Sequence, residues 1–141
     1  MKKGIDYIGA GVGAMIFNED GKVFMNKRGK ESRNEVGKWE FPGGGIDFGE
    51  TCEDAIIREV KEEFDMDIEI VELLNIANHI IPEEKQHWLS PCFIAKHIGG
   101  IPKIMEEEKC EEIKWVHTDE IDYDSLSIAA KISYDSYFKK K

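Results

Sequence analysis

The sequence predicts an α/β fold in which a mixed β-sheet lies between helices on both faces. Three observations predict it: short β-forming runs precede a strongly patterned helix, longer β-branched runs follow that helix, and a second helical pattern ends the chain. The 141 residues are 41% apolar and 10% aromatic, which suits a globular chain with a sizeable core. We assign residues 1–141 to a single domain.

The elements before the central helix are short strands. AMIF and KVFMNKR, within residues 14–28, flank the turn residues NEDG and predict a β-hairpin. Gly9, Gly11 and Ala14 have the G-x-G-x-x-A spacing of dinucleotide folds, but a strand follows where that motif needs a helix. We therefore interpret this segment as a glycine-rich edge strand. Residues 29–38 are polar and aperiodic, which predicts a surface loop that could close over a ligand.

The elements after the central helix are three strands and a helix. IEIVELLNIANHII and QHWLSPCFIAKHI, separated by PEEK, are rich in apolar and β-branched residues and predict two long strands. A turn at Gly99, Gly100 and Pro102 follows, and acidic residues precede a strand at IKWVH. Within residues 125–138, apolar residues recur at helical spacing, and the lysines that follow favour a helix C-terminus.

Composition and charge exclude several classes of protein. The net charge of −10 argues against nucleic-acid polymers and anionic membranes as partners, since both are polyanions, but not against a small phosphorylated ligand held through a metal. Asp6 interrupts the apolar stretch near the start, so we do not interpret it as a signal peptide. Cys52, Cys92 and Cys110 lie far apart without a C-x-x-C pair, which disfavours zinc or disulfides and suits a reducing cytoplasm.

The central helix combines one apolar stripe with one acidic patch. Thr51, followed three residues later by Asp54, is a capping box, so the helix begins near Cys52. Apolar residues at three- and four-residue spacing predict a buried stripe, made of Ile56, Ile57, Val60 and Phe64. Three carboxylates fall on one patch beside that stripe, namely Glu59, Glu62 and Glu63.

The acidic patch predicts a metal site. Like charges at this spacing repel by ~0.2–0.5 kcal/mol per exposed pair, so the helix gains no stability from them. Hard oxygen ligands in this number suit Mg²⁺ or Mn²⁺, which also bind a second anionic partner such as a substrate phosphate. A solvated acidic face paired with Arg58 and Lys61 is the alternative. Glycines 43, 44 and 45 before the helix favour the metal, because a carbonyl from such a turn can point at it.

Residues 44–66 resemble a known motif. They spell G-x5-E-x7-R-E-U-x-E-E-x-D-U, where U is apolar, and the Nudix box is G-x5-E-x7-R-E-U-x-E-E-x-G-U. Eight of the nine defined positions match: Gly44, Glu50, Arg58, Glu59, Val60, Glu62, Glu63 and Met66. Asp65 replaces the glycine at the helix end, where a left-handed position tolerates it at a cost of ~1 kcal/mol. The resemblance implies the α/β/α Nudix sandwich over about residues 10–138.

Outside the box, the chain is similar to the MutT-like branch of that family, the nucleoside-triphosphate diphosphatases that remove oxidised nucleotides. The similarity is carried by residues 37–51, by the segment ending in His87 and by residues 106–116, although Glu107 replaces the usual proline. ADP-ribose-cleaving relatives often have proline sixteen residues after the box, where this chain has Pro82, so ADP-ribose or another nucleotide sugar stays open as substrate. A catalytically silent nucleotide-binding module is the third alternative.

The resemblance implies hydrolysis of a nucleoside diphosphate linked to a group X, with (d)NTP or oxidised (d)NTP giving (d)NMP and pyrophosphate. It implies Glu59 and Glu63 as main ligands of Mg²⁺ or Mn²⁺. Glu62 would be a further ligand or would position water, and the Gly43 carbonyl would add an oxygen. Glu59 could share the role of general base, which stays open among these groups.

The resemblance also implies supporting residues. Gly44 and Glu50 belong to the scaffold of the box, and Arg58 is expected to pair with Glu50 or Glu62 and so to fix the carboxylates. Relatives of this branch often pair, so a homodimer is one option, although the residues themselves do not indicate the oligomeric state.

Candidates for substrate binding lie outside the box. Arg28 is the first candidate for a phosphate contact, because a guanidinium donates bidentate hydrogen bonds to phosphate oxygens; its alternative is a surface cation. Glu106 or Glu108 is an extra ligand or base, as in many relatives, or is simply solvated. The groups available to bind a base are Trp39, Phe41, Asn78, His79, His87 and Trp88. Core packing is the commoner role of such aromatic residues.

Overall fold

The computed structural model describes residues 1–32 and 34–140. Its strands and helices are, in chain order, β1 (Gly9–Phe17), β2 (Val23–Arg28), β3 (Trp39–Glu40), β4 (Gly43–Gly45), α1 (Cys52–Phe64), β5 (Asp67–Ile81), β6 (Gln86–Gly99), β7 (Cys110–Val116) and α2 (Ile128–Lys140). Short 3₁₀ turns lie at Pro82–Glu84, Thr118–Glu120 and Tyr123–Ser125. The two long strands, the strand at IKWVH and the last helix therefore form where the sequence predicts them.

The strands form one mixed sheet that opens in the middle. Its central path runs β3, β2, β1, β6, β5, with β1 and β6 parallel, while β4 adds to β1 and β7 adds to β2. β1 pairs with β2 at Phe17 and Val23, and further along it pairs with β4 through residues 11–13. The two strands therefore diverge from their hairpin, which leaves an opening between β1 with β4 on one side and β2 with β3 on the other.

The glycine-rich strand β1 is central, so its prediction as an edge strand is wrong. Its glycines allow close approach of other groups. A Cβ on Gly9 would overlap the Trp88 ring, and a Cβ on Gly43, which pairs with Gly13, would lie 2.7 Å from the Val12 carbonyl oxygen. A strand with few side chains suggests a position at the solvent-exposed edge of a sheet. Here the Trp88 ring and the backbone of β4 occupy the space that side chains of β1 would otherwise fill.

Helices cover both faces of the sheet, which confirms the predicted α/β/α arrangement. The core under α1 contains Val12, Ala14, Ile16, Phe24, Ile56, Val60, Phe64 and Phe93. The core under α2 contains Met15, Val23, Met25, Phe41, Leu126 and Ala130. Because successive side chains of a strand point to opposite faces, β1 and β2 contribute to both cores. Within residues 1–32 and 34–140, neither helix has the length and apolar content that crossing a membrane requires.

Helix α1 begins and ends at its predicted signals. Thr51 Oγ1 accepts a hydrogen bond from the Asp54 N–H at 3.1 Å. Asp65 is left-handed, with φ of 54°, and donates its N–H to the Lys61 carbonyl, so the C-cap forms without glycine. The predicted burial of Ile57 is wrong, because this side chain is 38% exposed. Ile57 lies about 60° round the helix from Val60, which places it at the edge of the apolar stripe.

Phe64 provides a test of the core under α1. Its side chain is 1% exposed and meets Phe24 edge to face, with ring centroids 4.9 Å apart. We expect Phe64→Ala to lower the free energy of unfolding by about 3–5 kcal/mol, because it removes a buried ring and leaves a cavity. Ile57→Ala, on the exposed edge of the same helix, is the matched control and should cost about 1 kcal/mol or less. Urea unfolding measures both, and equal losses would contradict this assignment of the core.

Candidate active site

A cleft of about 460 Å³ lies where β1 and β2 diverge. One end is lined by the glycines of β4, by Glu40, and by Glu63 of α1. The other end is lined by residues of β5 and β6 and by the first turns of α2. This volume is in the range of small-molecule sites, and the two ends differ in chemistry, one acidic and the other mainly neutral.

Arg58 connects the acidic groups beside β4, although Glu63 is the one glutamate of the box that lines the cleft itself. Its Nε and Nη2 atoms donate to the two carboxylate oxygens of Glu50 at 2.7 and 2.8 Å, and Nη2 also donates to the Gly45 carbonyl at 3.1 Å. Its Nη1 atom donates to Glu59 at 3.0 Å and to Glu62 at 3.2 Å. Both alternative partners expected from the sequence are thus in contact with it. The hydrogen bonds from Arg58 lower the pKa of Glu50 to about 2, so this carboxylate is ionised at neutral pH.

Glu63 is the buried member of the acidic patch. Burial raises the pKa of its carboxyl group to about 9, and the negative charges of Glu59, Glu40 and Glu106 act in the same direction. Without a bound cation, Glu63 therefore carries a proton at neutral pH. The group that the helix buries most is also the group that most requires a compensating positive charge.

Helix geometry explains why Glu63, and not Glu62, is buried. At about 100° per residue, Glu63 lies only about 20° from Ile56 in the apolar stripe, whereas Glu62 lies about 120° away. The side chain of Glu62 is accordingly 55% exposed, and that of Glu59, at an intermediate angle, is 16% exposed. This order was contained in the sequence spacing, although the three residues were treated there as one patch.

The glycine turn makes room for Glu59. A Cβ on Gly44 would overlap the Glu59 carboxyl group, so a larger residue would displace that side chain. In the described ranges, no three acidic, cysteine or histidine side chains converge closely enough to hold a metal ion as they stand, since Arg58 attracts Glu59 and Glu62. The donor set still fits a hard divalent cation, because Glu59 and the protonated Glu63 lie within hydrogen-bonding reach of each other.

Arg28 lines the cleft, but protein groups occupy its guanidinium. Nη1 donates to Glu40 at 2.8 Å, while Nε and Nη2 donate to the main-chain and side-chain oxygens of Asn34 at 2.8 and 3.0 Å. Arg28 thus joins the loop of residues 29–38 to β3. Sequence reasoning missed Glu40, which also accepts from Asn26 Nδ2 at 3.0 Å. The available signal was a charged residue two positions before the proline and glycines of the turn.

The structure separates the predicted base-binding residues. Phe41 lines the cleft. Asn78 and His87 lie on the opposite face of the β5–β6 hairpin, where Asn78 Oδ1 is 3.2 Å from His87 Nε2. Trp39 lies outside the cleft, with Lys114 Nζ 4.0 Å from the centre of its ring. The two other candidates, His79 and Trp88, lie on the inner face of the hairpin and line the cleft together with Phe41.

The loop of residues 29–38, of which Arg33 lies outside the described residues, closes the neutral end of the cleft. Asn34 Nδ2 donates to Gln86 Oε1 at 3.5 Å. Glu35 accepts from the Ile128 N–H at 2.9 Å, at the start of α2, and its other oxygen lies 3.3 Å from His79 Nε2. Burial opposes ionisation of Glu35, but His79 and the Ile128 N–H outweigh it and lower its pKa overall. Sequence reasoning predicted this loop but none of these partners.

The two candidate glutamates before β7 differ in position. Glu106 lines the cleft and Glu108 does not. The loop that carries them is fixed to the end of α1, where Met105 donates its N–H to the Glu63 carbonyl at 3.0 Å. Lys109 Nζ lies 3.7 Å from Glu106 Oε1. Glu106 is therefore close enough for its charge to raise the pKa of Glu63.

Comparison with known proteins agrees with this geometry. The NUDIX domain model matches residues 8–137. The chain is 31% identical over 130 residues to the RNA pyrophosphohydrolase of Erythrobacter litoralis, with 77% of this chain and 76% of that protein covered. It is 32% identical over 114 residues to the 8-oxo-dGDP phosphatase NUDT18 of Danio rerio, with 81% of this chain covered. It spans only 32% of that relative's length and 33% of the length of a Caenorhabditis elegans relative.

Solved structures show the same fold. The crystal structure of a MutT NUDIX hydrolase from Burkholderia pseudomallei superposes with a TM-score of 0.84 at 31% sequence identity, with 92% of this chain and 98% of that chain covered. At this coverage the sheet and both helices belong to the shared architecture.

Burial of Glu63 predicts how stability depends on pH. Its pKa rises from 4.5 to about 9 on folding, so the folded state binds more protons than the unfolded state between these values, and stability falls as the pH rises through them. We expect the wild-type chain in EDTA to lose stability from about pH 6 to about pH 9, and Glu63→Gln to remove most of that loss. Glu62→Gln is the exposed control and should keep the wild-type slope. Urea unfolding at several pH values measures the free energy of unfolding of each protein. If it depended on pH in the same way in all three proteins, the burial of Glu63 would be contradicted.

Proposed function

The chain belongs to the Nudix family, and from this premise we propose that it hydrolyses a nucleoside diphosphate linked to a further group X, with Mg²⁺ or Mn²⁺ as cofactor. The substrate we propose is a (d)NTP or an oxidised (d)NTP, with purine nucleotides preferred. The products are (d)NMP and pyrophosphate, formed by addition of one water molecule.

One observation carries this proposal: the buried carboxyl group of Glu63 lies beside Glu59 at the glycine turn. A fold does not gain stability from two such groups side by side, because burial and like charge both oppose ionisation. Their arrangement is explained if a divalent cation replaces the proton that they hold between them. The silent binding module is less consistent with it, since such a module has no need to keep the carboxylates.

The chain's own residues prepare the site for that cation. We infer that Glu59 and Glu63 are its main ligands, that Glu62 is a further ligand or positions water, and that the Gly43 carbonyl adds an oxygen. When bound, the metal neutralises phosphate oxygens and lowers the pKa of a bound water. Glu63 must release its proton before it can bind a cation. Arg58 would keep the neighbouring carboxylates in place for such a cation, and Glu59 would be available to accept a proton from the attacking water.

The remaining groups near the acidic end have supporting roles in this proposal. Gly44 and Glu50 fix the turn and the start of α1 through Glu59 and Arg58. Glu106 is the better candidate of the two loop glutamates for an extra ligand or base, because it lines the cleft and Glu108 does not. Arg28 positions Glu40 and the loop, so a direct phosphate contact would have to share its existing hydrogen bonds.

The neutral end of the cleft supports a nucleobase. Trp88 offers an aromatic ring, and stacking is worth ~1–3 kcal/mol per base without distinguishing one base from another. Selectivity must then come from polar groups that line this end, among them Asn34 and His79; Gln86 holds Asn34 from outside the cleft. The named relatives act on oxidised dGDP and on RNA, which supports a nucleoside diphosphate as the common part of the substrate. Net charge disfavours a polymer, so a small nucleotide is proposed.

A substrate panel tests the proposal. It contains the dNTPs, 8-oxo-dGTP, 8-oxo-dGDP, ADP-ribose, dinucleoside polyphosphates and an RNA with a 5′ triphosphate, ranked by kcat/KM with Mg²⁺ or Mn²⁺. We expect triphosphates to be cleaved to monophosphate and pyrophosphate, and EDTA to abolish turnover. Undiminished turnover in EDTA would contradict the proposed metal requirement. If all nucleotides stayed intact after long incubation, the catalytically silent binding module would be the remaining alternative. If kcat/KM for ADP-ribose exceeded that for every triphosphate by about tenfold or more, the proposed substrate class would be wrong. The metal-dependent hydrolysis assigned to the box would still stand.

Gly44→Ala tests the contact between the turn and Glu59. The added methyl group would overlap the Glu59 carboxyl group, so we expect kcat to fall by about 100-fold, as misplacement by about 1 Å commonly causes. Gly45→Ala is the matched control, because its Cβ would have no heavy atom closer than Lys3 Nζ at 3.9 Å, and we expect a loss below about tenfold. Steady-state kinetics with a melting curve for each variant measures this. Similar losses in both would contradict a specific role for Gly44.

A further inference from the structure

We propose that Lys3 provides a phosphate-binding cation at the mouth of the cleft. This inference rests on the proposed nucleotide substrate and adds to it a residue far from the box in sequence. Lys3 lines the same cleft as Glu40, Glu63 and the glycine turn. Its Nζ atom lies 3.9 Å from the position that a Cβ on Gly45 would take. Because neighbouring residues of a strand point to opposite faces, Lys3 lies across β4 from Glu59, on the side of the cleft that is lined by Ser90 and Trp88 of β6.

The first seven residues, which we call the hook, fold back on themselves and hold Lys3 in place. Asp6 donates its N–H to the Lys2 carbonyl at 2.8 Å, and Gly4 donates its N–H to the Tyr7 carbonyl at 2.7 Å. The hook is fixed to β6, because His87 donates its N–H to the Gly4 carbonyl at 2.8 Å. The backbone on both sides of Lys3 is therefore ordered by hydrogen bonds.

Gly4 fits the hook against an aromatic ring. It is buried and left-handed, with φ of 81°, and a Cβ at this position would overlap the Trp88 indole. Both the backbone conformation and the contact require glycine. Such close seating on a residue that lines the cleft places Lys3 at the cleft and not at an arbitrary point on the surface.

In the part of the chain that the structure describes, three basic side chains at or beside the acidic end are already paired. Arg58 contacts Glu50, Glu59 and Glu62. Arg28 donates to Glu40, and Lys109 lies 3.7 Å from Glu106. Lys3, by contrast, makes no ion pair within residues 1–32 and 34–140. In a chain of net charge −10, an unpaired ammonium group beside a carboxylate-rich cleft can attract a polyphosphate that the rest of the surface repels.

A kinetic comparison tests the role of Lys3. We expect Lys3→Gln to raise KM for the best triphosphate of the panel about five- to tenfold and to change kcat less than about twofold, because an exposed ammonium group aids binding and not the chemical step. Lys3→Arg should restore KM to within about twofold, since it keeps the charge. Lys2→Gln, which removes an exposed lysine that does not line the cleft, should leave both constants unchanged. At about 1 M KCl, where the Debye length is about 3 Å, the effect of Lys3→Gln should largely vanish.

Gly4→Ala tests whether the hook positions the lysine. The methyl group would displace the hook from Trp88, so this variant should raise KM as Lys3→Gln does. The double variant should then add little further loss, because both changes remove the same contact. Additive effects of the two changes would overturn the positioning by the hook.

Binding without turnover separates this inference from the proposed function. Calorimetry with α,β-methylene-dGTP and Mg²⁺ gives a dissociation constant that does not depend on hydrolysis. A weaker dissociation constant for Lys3→Gln in a wild-type protein that cleaves nothing would overturn the proposed enzyme but support the cation. Normal turnover with KM and dissociation constant unchanged by Lys3→Gln would overturn the cation and leave the enzyme intact. If the wild-type chain neither binds the analogue nor cleaves any nucleotide, both proposals fail.

Discussion

The hydrogen bonds of Arg58 are the interaction on which the acidic site depends. A guanidinium has five N–H donors in a rigid plane, so one side chain reaches Glu50, Glu59, Glu62 and the Gly45 carbonyl together. It joins the glycine turn to the helix and supplies positive charge where the carboxylates would otherwise repel one another. A lysine could not replace it, because a single ammonium group cannot bind the two oxygens of one carboxylate side by side while reaching the other groups.

Local signals in the sequence predicted the helix of the site, whereas residues 43–45, which were predicted as a turn, form strand β4 against β1. The Thr51 cap, the apolar spacing and the left-handed Asp65 each depend on residues within one or two helical turns, so short-range sequence is enough to fix them. The motif also contained the partners of Arg58. Even the burial order of the three glutamates follows from about 100° per residue, because the angle to Ile56 brings Glu63 closest to the core.

The long strands were predicted correctly as strands, but the short strands β3 and β4 were not, and the sequence did not decide which side chains of β5 and β6 face the cleft. Asn78 and His79 are adjacent in sequence, so they point to opposite faces, and only the pairing of β5 with β6 and the sheet's position between two helices decide which one meets the cleft. Register shifts within β5 prevent simple alternation from carrying the assignment along the strand. The contact of Trp39 with Lys114 and the central position of β1 could not be predicted either, because both depend on residues that are distant in sequence.

The division of the cleft explains why the motif predicts the chemistry better than the substrate. The acidic end is built mainly by α1 and β4, which lie almost wholly within the box and to which Glu40 and Glu106 add two further carboxylates, whereas the neutral end is built mainly by β5, β6 and α2. Its polar groups come from positions that the box does not constrain, among them Asn34 and His79, which Gln86 and Glu35 contact from outside the cleft. A substrate that leaves one of these groups unpaired loses ~1–3 kcal/mol, or a factor of about five to 150 in affinity. Relatives with the same box can therefore carry names as different as 8-oxo-dGDP phosphatase and RNA pyrophosphohydrolase, and the substrate of this chain must be sought in the neutral end of its own cleft.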